Sequence, residues 1–203
     1  MEKLLVHCCC APCASHVLNI LRDKYDITCL FYNPNIVPLE ERDKRRLELE
    51  RLVGLMNNSI HNDDLGVRIQ GSGVREGINL NNNHTSPISH LPSPIENNNS
   101  PHSPHSSFAS FSKNCSECIN SRLLFTAKEA TKLGFSIFTT TLTISPHKNS
   151  KEIIKSGIEI ANEYGLKFLD TDFKKKDGFL HSVKLSKKYG LYRQNYCGCD
   201  FNR

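Results

Sequence analysis

Four cysteines crowd into six residues near the start of this chain, Cys8-Cys9-Cys10-Ala11-Pro12-Cys13. The run follows a short apolar stretch, Leu4-Leu5-Val6, and precedes an apolar pattern of helical period. It reads as strand, tight turn and helix start, with the thiols at the turn. Pro12 suits the first helical turn, where its missing N–H would have no partner anyway. Thiols at a helix N-terminus face the positive end of the dipole. That favours thiolate, the form that binds metal or attacks an electrophile. A single buried cysteine on a strand is most often inert core. Four at one strand-to-helix turn call for another explanation.

The remaining cysteines are also grouped. Nine occur in all: the first four, Cys115/Cys118, Cys197/Cys199, and Cys29 alone. Vicinal and C-x-C spacings suit metal or redox work better than a disulfide framework. No apolar run spans a bilayer, and Met1-Glu2-Lys3 lacks the long apolar core of a secretory signal. We expect a cytoplasmic protein whose thiols stay reduced, with no membrane partner. The net charge of +5 is compatible with an RNA partner, and equally with a lysine-rich solvated surface.

Along the 203 residues, strands and helices alternate. Lys3–His7 reads as a strand, Ala11–Tyr25 as a helix and Asp26–Tyr32 as a second, fully buried strand in which Cys29 is core. The loop Asn33-Pro34-Asn35-Ile36-Val37-Pro38 follows. Loops at strand carboxyl ends carry ligand sites in parallel sheets, so Asn33 and Asn35 are substrate candidates, though spacing alone favours ordinary turn chemistry. Leu39–Met56 is a charged helix with Glu40 to Arg46 on its solvent side and Leu47, Leu49, Leu52 and Leu55 packing. From 57 to 113 the composition turns to Asn, Ser, His and Pro, too polar to offset its ordering entropy. This insertion reads as disordered, with Leu65–Gln70 as a residual strand. Order resumes with Cys115 and Cys118 opening the helix Ile119–Leu133. Strand Phe135–Leu142, helix Lys151–Tyr164, strand Leu166–Asp170 and helix Phe179–Tyr189 follow. The fold expected is α/β: a single Rossmann-like (HUP-like) domain over 1–203, with a mainly parallel sheet and that polar insertion.

Setting aside Cys8 and Cys29, seven thiols remain: Cys9, Cys10, Cys13, Cys115, Cys118, Cys197 and Cys199. A structural zinc takes four ligands. Seven suit an iron–sulfur cluster held by thiolates together with a second metal or a redox pair. The pattern does not say which metal, nor how the thiols divide between two centres.

Five stretches carry a resemblance. They are His7 to Cys13, Phe31-Tyr32-Asn33-Pro34-Asn35-Ile36, Cys115-x-x-Cys118, Thr139-Thr140-Thr141-Leu142 with Ile144-Ser145-Pro146-His147-Lys148, and the terminal Leu191-Tyr192-Arg193-Gln194-Asn195-Tyr196-Cys197-Gly198-Cys199. In this order they make the chain similar to the QueH-type epoxyqueuosine reductases over 3–56 and 114–201. The middle departs from that family: it has no tryptophan, and Asn114 stands where arginine is usual.

The resemblance implies an oxidoreductase of the last step of tRNA queuosine biosynthesis, reducing the epoxide of epoxyqueuosine without cobalamin. It implies a 4Fe–4S cluster and a neighbouring metal ion, iron, on the seven thiols. The partners implied are tRNA carrying epoxyqueuosine and an electron donor protein or reductant. Cys13, Tyr192 and His147 are then the catalytic candidates. Asn33, Asn35, Ser145, Lys148 and Arg193 are the substrate-binding ones, with Arg193 suited to tRNA phosphate as a planar, permanent cation. Two rivals stand beside this. One is a non-catalytic metal-binding module whose thiols only staple the fold. The other, a sulfur-handling tRNA enzyme, needs a glycine-rich loop after the first strand, and cysteine stands there instead.

Overall fold

The computed structural model describes residues 1–58, 66–69 and 114–198, the side chains of 58 and 66–69 excepted. Five strands form one sheet: β1 (Glu2–His7), β2 (Tyr25–Phe31), β3 (Gly66–Ile69), β4 (Ile137–Thr140) and β5 (Lys167–Phe168). Their order is β3-β2-β1-β4-β5, and every pairing is parallel. The α/β expectation holds. The helices are α1 (Ala11–Leu21), α2 (Leu39–Asn58), α3 (Cys115–Lys132), α4 (Ser150–Glu163) and α5 (Gly178–Lys188).

The central strand shows why the sheet is covered on both faces. Side chains alternate across a strand. Leu4, Val6 and then Cys8 join one core with α1 and α2, through Val17, Leu18, Leu49 and Leu52. Leu5 and then Cys9 face the other core, with Leu123 and Ala127 of α3 and Ile153 of α4. Leu4, Leu5 and Val6 are all fully buried, each contributing about 2 kcal/mol by apolar burial. The alternation carries into the turn, so adjacent cysteines face different layers. Cys29 is inside the first core, as expected, and Cys8 lies there too.

The order of strands sets where a ligand crevice opens. The chain runs outward from β1 through β2 to β3, then returns to the other side of β1 for β4 and β5. The connection reverses between β1 and β4, and crevices form at the carboxyl ends of strands at such a switch point. The cysteine turn leaves β1 there.

Several boundaries differ from the sequence reading. Helix α1 stops at Leu21 because Tyr25 already pairs with Glu2 in the sheet. Strand β4 ends at Thr140, whose hydroxyl accepts the Leu142 N–H at 3.2 Å and starts a short 3-10 helix, Thr141–Ile144. The strand expected near 65–70 is present as β3 beside β2. Apart from β3 and the end of α2, the tract 57–113 lies outside the described residues. On α2, Glu41 and Arg45 are not on the solvent side. They are 9% and 3% exposed, while Leu47, expected to pack, is 53% exposed. The cause is the carboxyl-terminal tail, which docks on that face of α2.

Candidate metal centre

The site begins with three sulfurs. The Sγ atoms of Cys9, Cys10 and Cys13 lie within 4.8 Å of one another, the only such set of three or more ligand groups among the described residues. Cys9 and Cys10 sulfurs are 3.8 Å apart. A tetrahedral metal with thiolate bonds near 2.3 Å has its sulfurs about 3.8 Å apart. The Cys9–Cys10 separation therefore matches ligation of one metal, with Cys13 Sγ within 4.8 Å of both.

The turn is tied across the switch point. Thr141, the first residue past β4, accepts the Cys9 backbone N–H at 3.1 Å and donates its hydroxyl to Cys9 Sγ at 3.4 Å. Behind it, His7 is fully buried. Its Nε2 is 3.0 Å from the Tyr32 carbonyl, which can only accept, so Nε2 carries the proton. Nδ1 then accepts from the Thr140 hydroxyl at 2.9 Å. Burial, reinforced by the nearby Arg122 cation, pushes the His7 imidazole down to about 4, so the ring is neutral.

The three thiols share charge unequally. Cys9 is held well below the usual thiol range by hydrogen bonds from Cys10 and Cys13, with Thr141 adding to them against the cost of burial. Cys13 is driven well up by donating to Cys10 and Cys9. In Cys10 the bond from Cys13 favours thiolate, but donation to Cys9 and burial outweigh it, and the thiol is pushed up to about 12. Cys9 is the thiol of the set that ionises most readily. Cys8, by contrast, is raised well above the usual range by burial and Cys29, and stays a neutral core thiol.

The other predicted ligands stand outside this set of three. Asn114 caps α3 by accepting the Glu117 N–H at 2.9 Å, which places Cys115 and Cys118 in the first helical turn. Cys118 is buried and Cys115 exposed. Neither is within single-metal reach of the three clustered sulfurs, nor is Cys197. Cys199 lies outside the described residues. Cys197 sits half-buried, its sulfur 3.8 Å from Lys148 Nζ.

What places Cys197 is a set of residues that the sequence reading assigned to solvent. Arg45 pairs with Glu41 at 2.7 Å and donates Nη1 to the Cys197 carbonyl at 2.7 Å and Nη2 to the Tyr196 carbonyl at 3.5 Å. Gly198 has φ +97, and a Cβ there would stand 2.9 Å from Arg45 Nη2, so only glycine fits. Its carbonyl accepts the Val37 N–H at 2.9 Å. Upstream, Arg51 donates to the Tyr189 and Gly190 carbonyls, and Glu48 accepts the Tyr192 N–H at 2.6 Å. A row of charges on α2 thus stitches the tail down. An i,i+4 Glu–Arg pair looks the same in sequence whether it is solvated or buried, so only Gly198 between two cysteines hinted at the clamp.

The predicted catalytic and substrate residues divide accordingly. Tyr192 donates its hydroxyl to Glu41 at 3.1 Å, with Lys44 Nζ 3.6 Å from its ring centre, so it belongs to the clamp. His147 is exposed. Ser145 is half-buried, its N–H bonded to the Leu142 carbonyl. Arg193 is exposed, its guanidinium 5.0 Å from the Phe179 ring centre. Asn33 is buried and donates to the Cys8 carbonyl at 3.0 Å, leaving its Oδ1 without a partner. Asn35 is also buried. No described helix is long and apolar enough to cross a membrane.

Comparison with known proteins points to one family. The profile of the family described as epoxyqueuosine reductase QueH matches residues 4–72 and 101–203. It takes in both halves of the sheet and all three groups of thiols. A protein of Streptococcus pyogenes serotype M1 named epoxyqueuosine reductase QueH is 35% identical over 197 residues, covering 97% of this chain and 69% of its own. One of the same name from Thermotoga maritima is 34% identical over 205 residues, covering 100% of this chain and 91% of its own. A third, from Staphylococcus epidermidis, is 31% identical over 98% of this chain and 75% of its own. Matched by these relatives over 97% or more of its length, and by the family profile over residues 4–72 and 101–203, the chain belongs to the epoxyqueuosine reductase QueH family.

Proposed function

We propose that this protein reduces the epoxide of epoxyqueuosine in tRNA to the alkene of queuosine, in the cytoplasm. The observation that carries the reading is the triangle of Cys9, Cys10 and Cys13 sulfurs at the switch point, in a chain of this family. The overall change consumes two electrons and two protons and releases the epoxide oxygen as water. The donor set fits thiolate-bound metal. Cys9, Cys10, Cys13, Cys115, Cys118, Cys197 and Cys199 would hold a 4Fe–4S cluster and a second metal ion, iron. Bound there, the cluster supplies electrons singly and the metal ion supplies Lewis acidity toward an epoxide oxygen.

The chain's own residues supply position and protons. Thr141 and His7 fix the cysteine turn, and Cys9 is the thiol whose ionisation its neighbours favour. Lys148, a substrate-binding candidate, is also placed to supply a proton, its ammonium beside the Cys197 sulfur and its backbone carbonyl held by Lys174 Nζ at 2.7 Å. The Tyr192 proton is committed to Glu41, so Tyr192 orients the tail, while exposed His147 faces incoming substrate. Cys13, half-buried at the rim of the triangle, is the thiol nearest an entering ligand in our reading. Asn33 Oδ1 is free to accept from substrate, and Asn35 and Ser145 lie in the loops that follow β2 and β4. Exposed Arg193 meets tRNA phosphate, where a fork of donors suits the oxygens. An external reductant or electron-donor protein completes the cycle. The test is anaerobic turnover with tRNA bearing epoxyqueuosine, read as the mass of the digested nucleoside. Loss of one oxygen supports the proposal; an unchanged mass with iron-loaded protein defeats it.

A further inference from the structure

Among the described residues, Arg122 is a buried cation with no counter-charge. It is 2% exposed on α3, and its Nε and Nη2 have no hydrogen-bond partner. No ion pair involves it among the described residues. An unpaired buried charge costs several kcal/mol, so a guanidinium held this way needs something to face. The two open nitrogens are informative. Nε–H and one Nη–H form the parallel side-on edge of the guanidinium, the edge that takes an anion in two bonds.

Its place in the fold says which anion. Arg122 lies one helical turn beyond Cys118 and two beyond Cys115, on one face of α3. Ile119 and Leu123, on the same helix, share a core with Leu5 of β1 and with Cys9, and Phe125 stacks on Tyr32, just past the end of β2, with ring centres 3.6 Å apart. The first turns of α3, which carry Cys115, Cys118 and Arg122, therefore pack beside the cysteine turn. Thiols give up their protons on binding metal, so this region acquires negative charge only when it is loaded.

We propose that Arg122 is the built-in counter-cation of the thiol site, its open Nε–Nη2 edge facing the negative charge that the thiolates bring on metal binding. This rests on the reading that the thiols take metal, but not on which metal or on the reaction. Arg122 is unfavourable in the empty protein and favourable in the loaded one, and that reversal of sign separates it from a packing residue.

The experiment uses Zn2+ as probe, because thiolates bind it whatever the native centre is. Wild type, Arg122→Met and Arg122→Lys are compared for Zn2+ affinity and for thermal midpoint, empty and loaded. Arg122→Met should bind Zn2+ at least tenfold more weakly, with Arg122→Lys in between because it keeps charge and loses the fork. Empty Arg122→Met should melt at or above empty wild type, and below it when loaded. Equal Zn2+ affinity in wild type and Arg122→Met overturns the inference. So does an empty Arg122→Met that melts lower or fails to fold, or a wild type that takes up no Zn2+. Iron and sulfide content of the wild type reports separately on the proposed function: zinc-only protein with the predicted reversal would sink that function and leave this inference standing.

Discussion

Replacing Arg45 by methionine tests how the tail is held. The change keeps most of the apolar stem and removes the guanidinium. Glu41, 10% exposed at its side chain, then loses its ion pair, and the Cys197 and Tyr196 carbonyls lose their donors. Breaking a buried pair from one side costs about 3–5 kcal/mol. Glu41 keeps the Tyr192 hydroxyl bond, which places the expected loss near the lower end, about 3 kcal/mol. Urea unfolding of the reduced, metal-free protein measures it. Alkylation of Cys197, followed by peptide mass, should quicken as the tail lifts off α2. The double variant Glu41→Leu/Arg45→Met removes both charges and should recover much of the stability while leaving Cys197 fast. Should Arg45→Met shift stability by under about 0.5 kcal/mol and leave Cys197 alkylation unchanged, the clamp is not what seats the tail.

Other consequences follow from single contacts. Gly198→Ala should raise Cys197 alkylation without touching Cys9, since a methyl there meets the Arg45 guanidinium and φ +97 disfavours any side chain; equal rates would show that the tail tolerates the change. Thr141→Val removes the hydroxyl that donates to Cys9 Sγ, so the pH midpoint for Cys9 alkylation should rise, and an unmoved midpoint would leave the shift to Cys10 and Cys13 alone. His7 stays neutral down to about 4 in the folded state, against 6.5 ordinarily. Between these values the unfolded chain binds the extra proton, so stability falls as pH drops through that window, by about 3 kcal/mol in all. His7→Gln should flatten that limb in metal-free protein, and a limb of unchanged slope would contradict the assignment.

How much of this was legible in the sequence depends on whether the signal was local. The apolar alternation of Leu4-Leu5-Val6 and the thiols after it were enough to place β1, α1 and the turn between them. Cys29 read as core because it lies in a nearly continuous apolar run, and it is fully buried. The parts that were missed depend on contacts distant along the chain. Glu41 and Arg45 have the spacing of a solvated pair, and only a partner some 150 positions away buries them. Thr141 sat in a recognised β-branched run, but its bond to Cys9 exists because β4 pairs beside β1. Arg122 falls on an amphipathic helix where an arginine ordinarily reaches solvent, and nothing local marks it as enclosed.

The central claim, that the thiols of this chain hold the metal centres of an epoxyqueuosine reductase, is tested most directly by one reconstitution. The protein is loaded anaerobically with iron and sulfide, assayed for both, and given tRNA bearing epoxyqueuosine with a low-potential reductant. The account predicts about five irons and about four sulfides per chain, together with a nucleoside lighter by one oxygen. A colourless protein that binds only zinc and leaves the nucleoside mass unchanged would contradict it.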